Sequence, residues 1–472
     1  MKKDCSKKSF EFQSLNSRKV LGAFDGGHIT SDGGALLLRA VEDYTNIIGQ
    51  FADCFTDHRD PDRIEHSVKQ LIAQRIYALA LGYEDLNDHD DLRVDPLLAV
   101  LAGKADPTGS ERLRKSDRGK ALAGKSTLNR LELTPPDANK TARYKKIVLN
   151  QALVDRFFVN VFLQSRKRPP KKIVLDLDAT DDPIHGGQEG RFFHGYYKNY
   201  CYLPLYIFCG DDLLCARLRS SNIDAAKGAV EELERIVGQI RQRWPRVKIV
   251  IRADSGFCRE EIMSWCEDNS VDYILGLAKN SRLKTAIKDE LAEAKNLFDQ
   301  TGRPARAYKD FKYKTRNSWG RSRRVVGKAE HLEKGPNPRF VVTSILPDKI
   351  NAKILYEKHY CDRGEMENRI KEQQLQLFAD RTSCTQLRAN QTRLWFSSVA
   401  YMLMAALRKH GLAATTMARA QCSTIRQKLL KIGACIKISV RRVFISLASG
   451  CPYAKIFARV WTNLRRLNPV RY

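Results

Sequence analysis

The sequence predicts a mixed α/β fold, and three observations carry the prediction. Short apolar runs with strand-like alternation recur between residues 172 and 277, helical periodicity fills the gaps between them, and turn residues mark the joints. "KKIVLDLDA" reads as a strand. "YLPLYIFCGDDLLCARLR" reads as two strands joined at Gly210-Asp211-Asp212, and "DAAKGAVEELERIVGQI" as a helix with Val230, Leu233, Val237 and Ile240 on one side. "VKIVIRADSGF" is a buried strand running into a turn, "REEIMSWCEDN" a helix and "DYILGLA" a further strand. Three strands in meander, then helix, strand, helix and strand, fit a sheet of the ribonuclease H kind better than a doubly wound nucleotide fold.

The flanks have a different texture. Residues 1–165 open on the Gly-rich "FDGGHITSDGG" and continue as helical patterns such as "RIEHSVKQLIAQRIYALALGY", where Ile64, Val68, Leu71, Ile72, Ile76 and Leu79 share a face. The acidic "YEDLNDHDDLRVDP" lacks the central Gly and closing Glu of a calcium loop, so its carboxylates are expected to cap helices in a solvated turn. After the first part of the core (166–280), residues 281–350 break into charged, strand-like pieces, a strand-rich insertion. Helical patterns return over 351–410, and 411–472 form a basic C-terminal region with "SVRRVFISLAS" as a strand.

Charge narrows the partners. The 472 residues carry 82 Lys and Arg against 54 Asp and Glu, a net charge of +28. Such a field favours a polyanion whose counterions are released on binding, and nucleic acid leads. The basic residues run throughout the chain instead of clustering beside an apolar span, which argues against a membrane surface. None of the twelve cysteines forms a C-x₂₋₄-C pair, so zinc and disulfide frameworks are not expected and reduced thiols are. "MKKDCSKKSFEFQS" has no apolar core for a secretory signal, and "LWFSSVAYMLMAAL" is too short to span a bilayer, so it reads as a buried helix.

One motif invites a different function. "GKALAGKS" (119–126) matches the phosphate-binding loop G-x-x-x-x-G-K-[ST], and "KKIVLDLD" could pass for the strand that holds its Mg²⁺. The upstream "TGSERLRKSDR" contains no strand to deliver the chain into such a loop, Lys-Ala-Leu-Ala are helix formers, and "STLNRLE" reads as a helical turn capped by Ser126 or Thr127. Lys125 is then expected on a solvated or DNA-facing surface.

The carboxylates suggest other chemistry. Period-two alternation puts Asp176 and Asp178 on one side of their strand, and Asp254 sits just past a strand end where Ser255-Gly256 turns. Phosphodiester chemistry uses two cations roughly 3.5–4 Å apart, and Mg²⁺ takes a few carboxylates from rigid elements. Helix capping is the competing role for an aspartate at a strand end. In "YCDRGEMENRIKEQQ", Tyr360, Arg363, Glu367 and Lys371 follow at spacings of 3, 4 and 4, which would stack an acid between a phenol and two cations on one helical face. A solvated Glu–Lys ladder is the alternative.

"LDLDAT", "RADSGF" and Y-x₂-R-x₃-E, in this order, resemble the group-1 DDE transposases of bacterial insertion sequences over nearly the whole chain. The resemblance implies a ribonuclease H-like core interrupted by a strand-rich insertion, with a mainly helical N-terminal region for DNA binding and dimerisation. It implies Asp178, Asp254 and Glu367 as ligands of two Mg²⁺ or Mn²⁺ ions, with Asp176 the alternative first ligand. Tyr360, Arg363 and Lys371 would contact DNA, and Trp319 resembles an aromatic that stacks on an unstacked end base, although packing is the commoner fate of a lone Trp. The signature ends with Lys seven residues after the Glu; here that position is Gln374, and Lys371 one turn earlier would substitute. The implied activity is cleavage at terminal inverted repeats and joining to target DNA, by a homodimer in the bacterial cytoplasm. A related nuclease without strand transfer, and a DNA-binding remnant without catalysis, are the alternatives.

Overall fold

The computed structural model describes residues 9–467; the leading "MKKDCSKK", with Cys5, and the last five residues of the basic tail lie outside that range. The chain forms two compact units, one made of residues up to Leu149 together with those from Val399 onward, the other spanning Asn150–Ser398.

The first unit is mainly helical. Its longest described helix, Val68–Leu81, begins at a reciprocal cap in which Ser67 Oγ accepts from Gln70 N and Gln70 Oε1 accepts from Ser67 N, and it ends at Gly82 in the left-handed conformation. Ile64, expected on this helix, precedes its cap. The glycine pair of "SDGG" is explained by crowding: a Cβ on Gly34 would run into the Leu429 carbonyl. The acidic stretch does cap a helix, since Asp95 Oδ1 accepts from Leu97 N (2.7 Å) and Leu98 N (3.2 Å) at the start of Pro96–Leu101.

The loop-like motif is no phosphate cradle. Ala121, Leu122 and Ala123 are buried in irregular chain, and the helix that follows, Lys125–Leu133, is capped at Gly124 rather than at Ser126 or Thr127. Lys125 N donates to Asp90 Oδ1 at 3.1 Å while its ammonium pairs with Asp90 Oδ2 at 3.1 Å. The protein's own carboxylate thus sits where a phosphate would have to be.

The second unit is built on one large mixed sheet. Its principal strands are β1 (Lys172–Ala179), β2 (Leu205–Cys209), β3 (Asp212–Arg217), β4 (Lys248–Ala253), β5 (Asp272–Leu277), β6 (Ala305–Tyr313), β7 (Arg323–Leu332) and β8 (Arg339–Thr343). They lie in the order β3-β2-β1-β4-β5-β8-β7-β6. β1, β4 and β5 run parallel, with β2 antiparallel to β1. The parallel strands are near-continuous apolar runs because both sheet faces are covered. Leu233, Ile236, Val237 and Ile240 of helix Ala229–Arg243 and Phe162 of helix Gln151–Gln164 share the core with Leu175, Leu177, Ile249 and Ile251.

Residues 281–350 carry the expected strands, but not strands alone. They begin with two helices, Ser281–Ala286 and Lys288–Thr301, and their strands extend the central sheet, β8 pairing directly with β5. Ala, Glu, Lys and Leu in "KDELAEAKNL" favour the helix, and the charges of β6 suit an edge strand, whose unpaired side is protected by Lys309, Asp310 and Lys312. Trp319 does not present itself to a base. It is 5% exposed, packed edge-on to Tyr313 at 5.7 Å and covered by Arg323, whose guanidinium binds Glu260 and Glu267. Packing is therefore the role of this lone Trp.

All of "LWFSSVAYMLMAAL" but its last residue, Leu407, falls within a buried helix, Leu387–Ala406, and no helix among the described residues is long and apolar enough to cross a membrane.

Candidate active site

Two adjacent parallel strands end at the same edge of the sheet, and each delivers a carboxylate there. Asp178 lies near the C-terminal end of β1, Asp254 immediately after β4. The C-terminal edge of parallel strands is the usual place for a site, because side chains there project past the hydrogen-bonded ladder. Asp254 also serves its own turn, with Oδ1 accepting from Gly256 N at 2.8 Å. Capping and cavity lining are thus compatible for this residue.

The third carboxylate comes from the helix Gly364–Lys371. Asp178, Asp254 and Glu367 line one cavity of about 500 Å³ together with Arg363, Lys371 and Gln374. Arg363 bridges two of the acids, its guanidinium 3.0 Å from Glu367 and 3.8 Å from Asp178. Tyr360 lies elsewhere: it lines a neighbouring cavity, close enough to β5 that a Cβ on Gly276 would collide with its hydroxyl. The chain winds as a π-helix through Leu355–Tyr360 and a 3₁₀ turn through Cys361–Arg363 before the α-helix begins. Side chains three apart eclipse in a 3₁₀ turn, so Tyr360 and Arg363 keep a common side although they line neighbouring cavities.

Asp176 has a different environment. Arg252 stands directly opposite it on β4 and donates to its two oxygens through Nε and Nη2, at 2.5 and 2.8 Å, with both side chains nearly buried. Burial pushes the Asp176 carboxyl up and the guanidinium pulls it back. This aspartate is occupied by a structural partner, whereas Asp178, two residues on, reaches the cavity.

The electrostatics of Asp178 fit a cation site. Burial pushes its carboxyl up to about 7; Arg363 opposes the shift, while Asp254 and Glu367 add to it. Among the described residues no three His, Cys, Asp or Glu groups already gather around one metal position. Arg363 supplies the positive charge between Asp178 and Glu367 in this arrangement, and the oxygen donors are those a hard divalent ion takes.

A pH prediction follows for the metal-free protein. The folded-state value lies above the ordinary 3.8, so the protonated form is the one the fold favours. Its stabilising contribution is full below about pH 4 and is lost as pH rises through 7, up to about 4 kcal/mol. Thermal melts in chelator should show Asp178→Asn flattening this part of the pH profile; an unchanged profile would contradict the assignment.

The site has a further wall that no motif in the sequence announces. Between β1 and β2 a hairpin, Phe192–His194 paired with Asn199–Tyr202, brings His194, Tyr196 and Tyr197 to the same cavity. Tyr197 Oη donates to the Ala179 carbonyl (3.3 Å), next to Asp178. The signal was in "FFHGYYKNY", with five Phe and Tyr in nine residues around a Gly, too many aromatics for an ordinary solvated turn.

Two aspartates at one sheet edge thus face Glu367 and Lys371 of a helix, with Arg363 just before it, across one cavity. The chain belongs to the family described as "Transposase DDE domain group 1", whose model matches residues 12–469. Among solved structures it is similar to a piggyBac transposase synaptic complex with hairpin DNA, at 11% identity and a TM-score of 0.38, over 85% of this chain and 80% of that one. No curated protein matches.

Proposed function

We propose that the protein is a metal-dependent insertion-sequence transposase that cleaves DNA at the element's terminal inverted repeats and joins the freed ends to target DNA. The observation that carries this reading is the convergence of Asp178, Asp254 and Glu367, from two strands and one helix, on a single cavity with Arg363 and Lys371. The strand order β3-β2-β1-β4-β5, with β2 antiparallel to β1, supports a ribonuclease H-like core.

Asp178, Asp254 and Glu367 would hold divalent cations, which when bound supply charge neutralisation at the attacking and leaving oxygens. Arg363 would yield the acids and turn its guanidinium to a DNA phosphate, a bidentate partner for which its planar fork is suited. Lys371 would hold a second phosphate. Gln374, whose Nε2 donates to the Asp181 carbonyl at 3.0 Å, is committed to the chain and leaves that part to Lys371. Tyr360, against Gly276, would act one cavity away, on the flanking strand. The N-terminal helical region would recognise the element's ends, the basic C-terminal residues would add phosphate contacts, and a homodimer would hold the two ends together.

Binding is tested by salt titration. With a net charge of +28, affinity for any duplex should fall steeply as salt rises, while duplex carrying the repeats that flank the gene keeps an advantage over random sequence. Equal affinity for both across the titration would remove end recognition from the account.

A further inference from the structure

We propose that the hairpin Phe192–Tyr202 is a stacking platform for unpaired DNA bases beside the carboxylates. The inference rests on the transposase reading and adds the form of DNA that the site takes. Tyr196 is 84% exposed at the hairpin tip, yet it lines the cavity that holds Asp178, Asp254 and Glu367. Its ring meets Tyr197 in a T-shaped contact at 5.0 Å, and Phe193 and Tyr200 are exposed further along the same hairpin.

The tip is held in shape. Lys198 N donates to the His194 carbonyl at 2.8 Å, Lys198 takes the left-handed conformation at φ 55°, and Tyr197 is tied to the end of β1. A non-glycine residue in that conformation persists only where its surroundings impose it, so the aromatic tip is a fixed feature.

Charge selects the occupant. Residues 191–200 contain Arg191, Lys198 and His194 and no acid, and Arg191 stacks on the Tyr200 ring at 3.7 Å. Aromatic faces interleaved with cations match a strand that offers bases and phosphates alternately. Duplex DNA hides the faces of its bases within the stack, so this surface can engage them only where pairing has been lost. Such a strand would run from the hairpin to the carboxylates, placing an unpaired base next to the phosphodiester under attack.

The test uses the whole chain in chelator, with a blunt DNA duplex and the same duplex carrying a short single-stranded thymidine extension that contains one fluorescent aminopurine base. The extension should raise affinity about tenfold and the aminopurine should be quenched on binding. Tyr196→Ala should bring the ratio of the two affinities close to one and restore the fluorescence, while Tyr196→Phe keeps both effects. The ratio is read because Lys198 and Arg191 bind phosphate in either probe. A wild-type ratio of one with the blunt duplex still bound, or a ratio unmoved by Tyr196→Ala, overturns the platform alone. Failure to bind either duplex overturns the transposase reading and the platform with it.

Discussion

Changing Asp178 or Asp254 to Asn, or Glu367 to Gln, is expected to lower both DNA cleavage and strand joining by about a thousandfold or more, a loss of about 4 kcal/mol of transition-state stabilisation. An amide keeps the shape of the side chain but cannot neutralise or anchor a hard cation. The three substitutions should act alike because their side chains line one cavity from three separate elements. DNA binding in the absence of metal should survive in each. A variant that still nicks DNA at full rate in Mg²⁺ would exclude its residue as an essential ligand.

Asp176→Asn should fail for another reason. Its carboxylate and the Arg252 guanidinium are buried against each other, and an amide leaves the guanidinium without its counter-charge. Breaking such a pair costs about 3–5 kcal/mol, enough to lower the melting temperature by roughly ten degrees in a unit of this size. Arg252→Ala should cost a similar amount. Replacing both together by Leu and Met should recover much of the loss, since a packed apolar pair of similar volume removes both desolvated charges. If Asp176→Asn melts like the wild type and loses only catalysis, then Asp176, not Asp178, is the ligand on β1.

The contrast between these two aspartates marks the limit of what could be read from sequence. Alternation placed both on the same side of the strand, which is correct, but the residue opposite Asp176 depends on the register with β4, and register is a tertiary property. The strand and helix order from 172 to 277 was legible because each element is short, strongly patterned and closed by a turn, as at Gly210, whose positive φ joins β2 to β3. The helix face carrying Glu367 and Lys371 was legible too, since α-helical spacing holds over Gly364–Lys371, and Arg363 just before it reaches the same cavity. That Tyr360 lines the neighbouring cavity was not legible, because local composition does not announce the π-helical winding before it.

Elsewhere, tertiary context decided. The strands after 305 read as a separate insertion because their charges break the apolar pattern, yet the sheet accepts them at its edge, where charge is tolerated. Stacking by Trp319 was implied only by the resemblance, with packing the commoner fate; Tyr313 and Arg323, brought to it by the β6–β7 pairing, bury it. The aromatic hairpin at 192–202 went unread for the opposite reason. No motif describes it, and only the fold brings it to the carboxylates.

The central claim is metal-dependent cutting and joining of the element's own ends. The most direct measurement incubates the purified full chain with a duplex carrying the inverted repeats that flank its gene, Mg²⁺ and a circular target plasmid, and sequences the products. Breaks at the repeat boundaries that expose 3′ hydroxyls, and junctions that join those ends to plasmid, are expected, all absent in chelator. Breaks scattered without regard to the repeats, or products that form equally well in chelator, would contradict it.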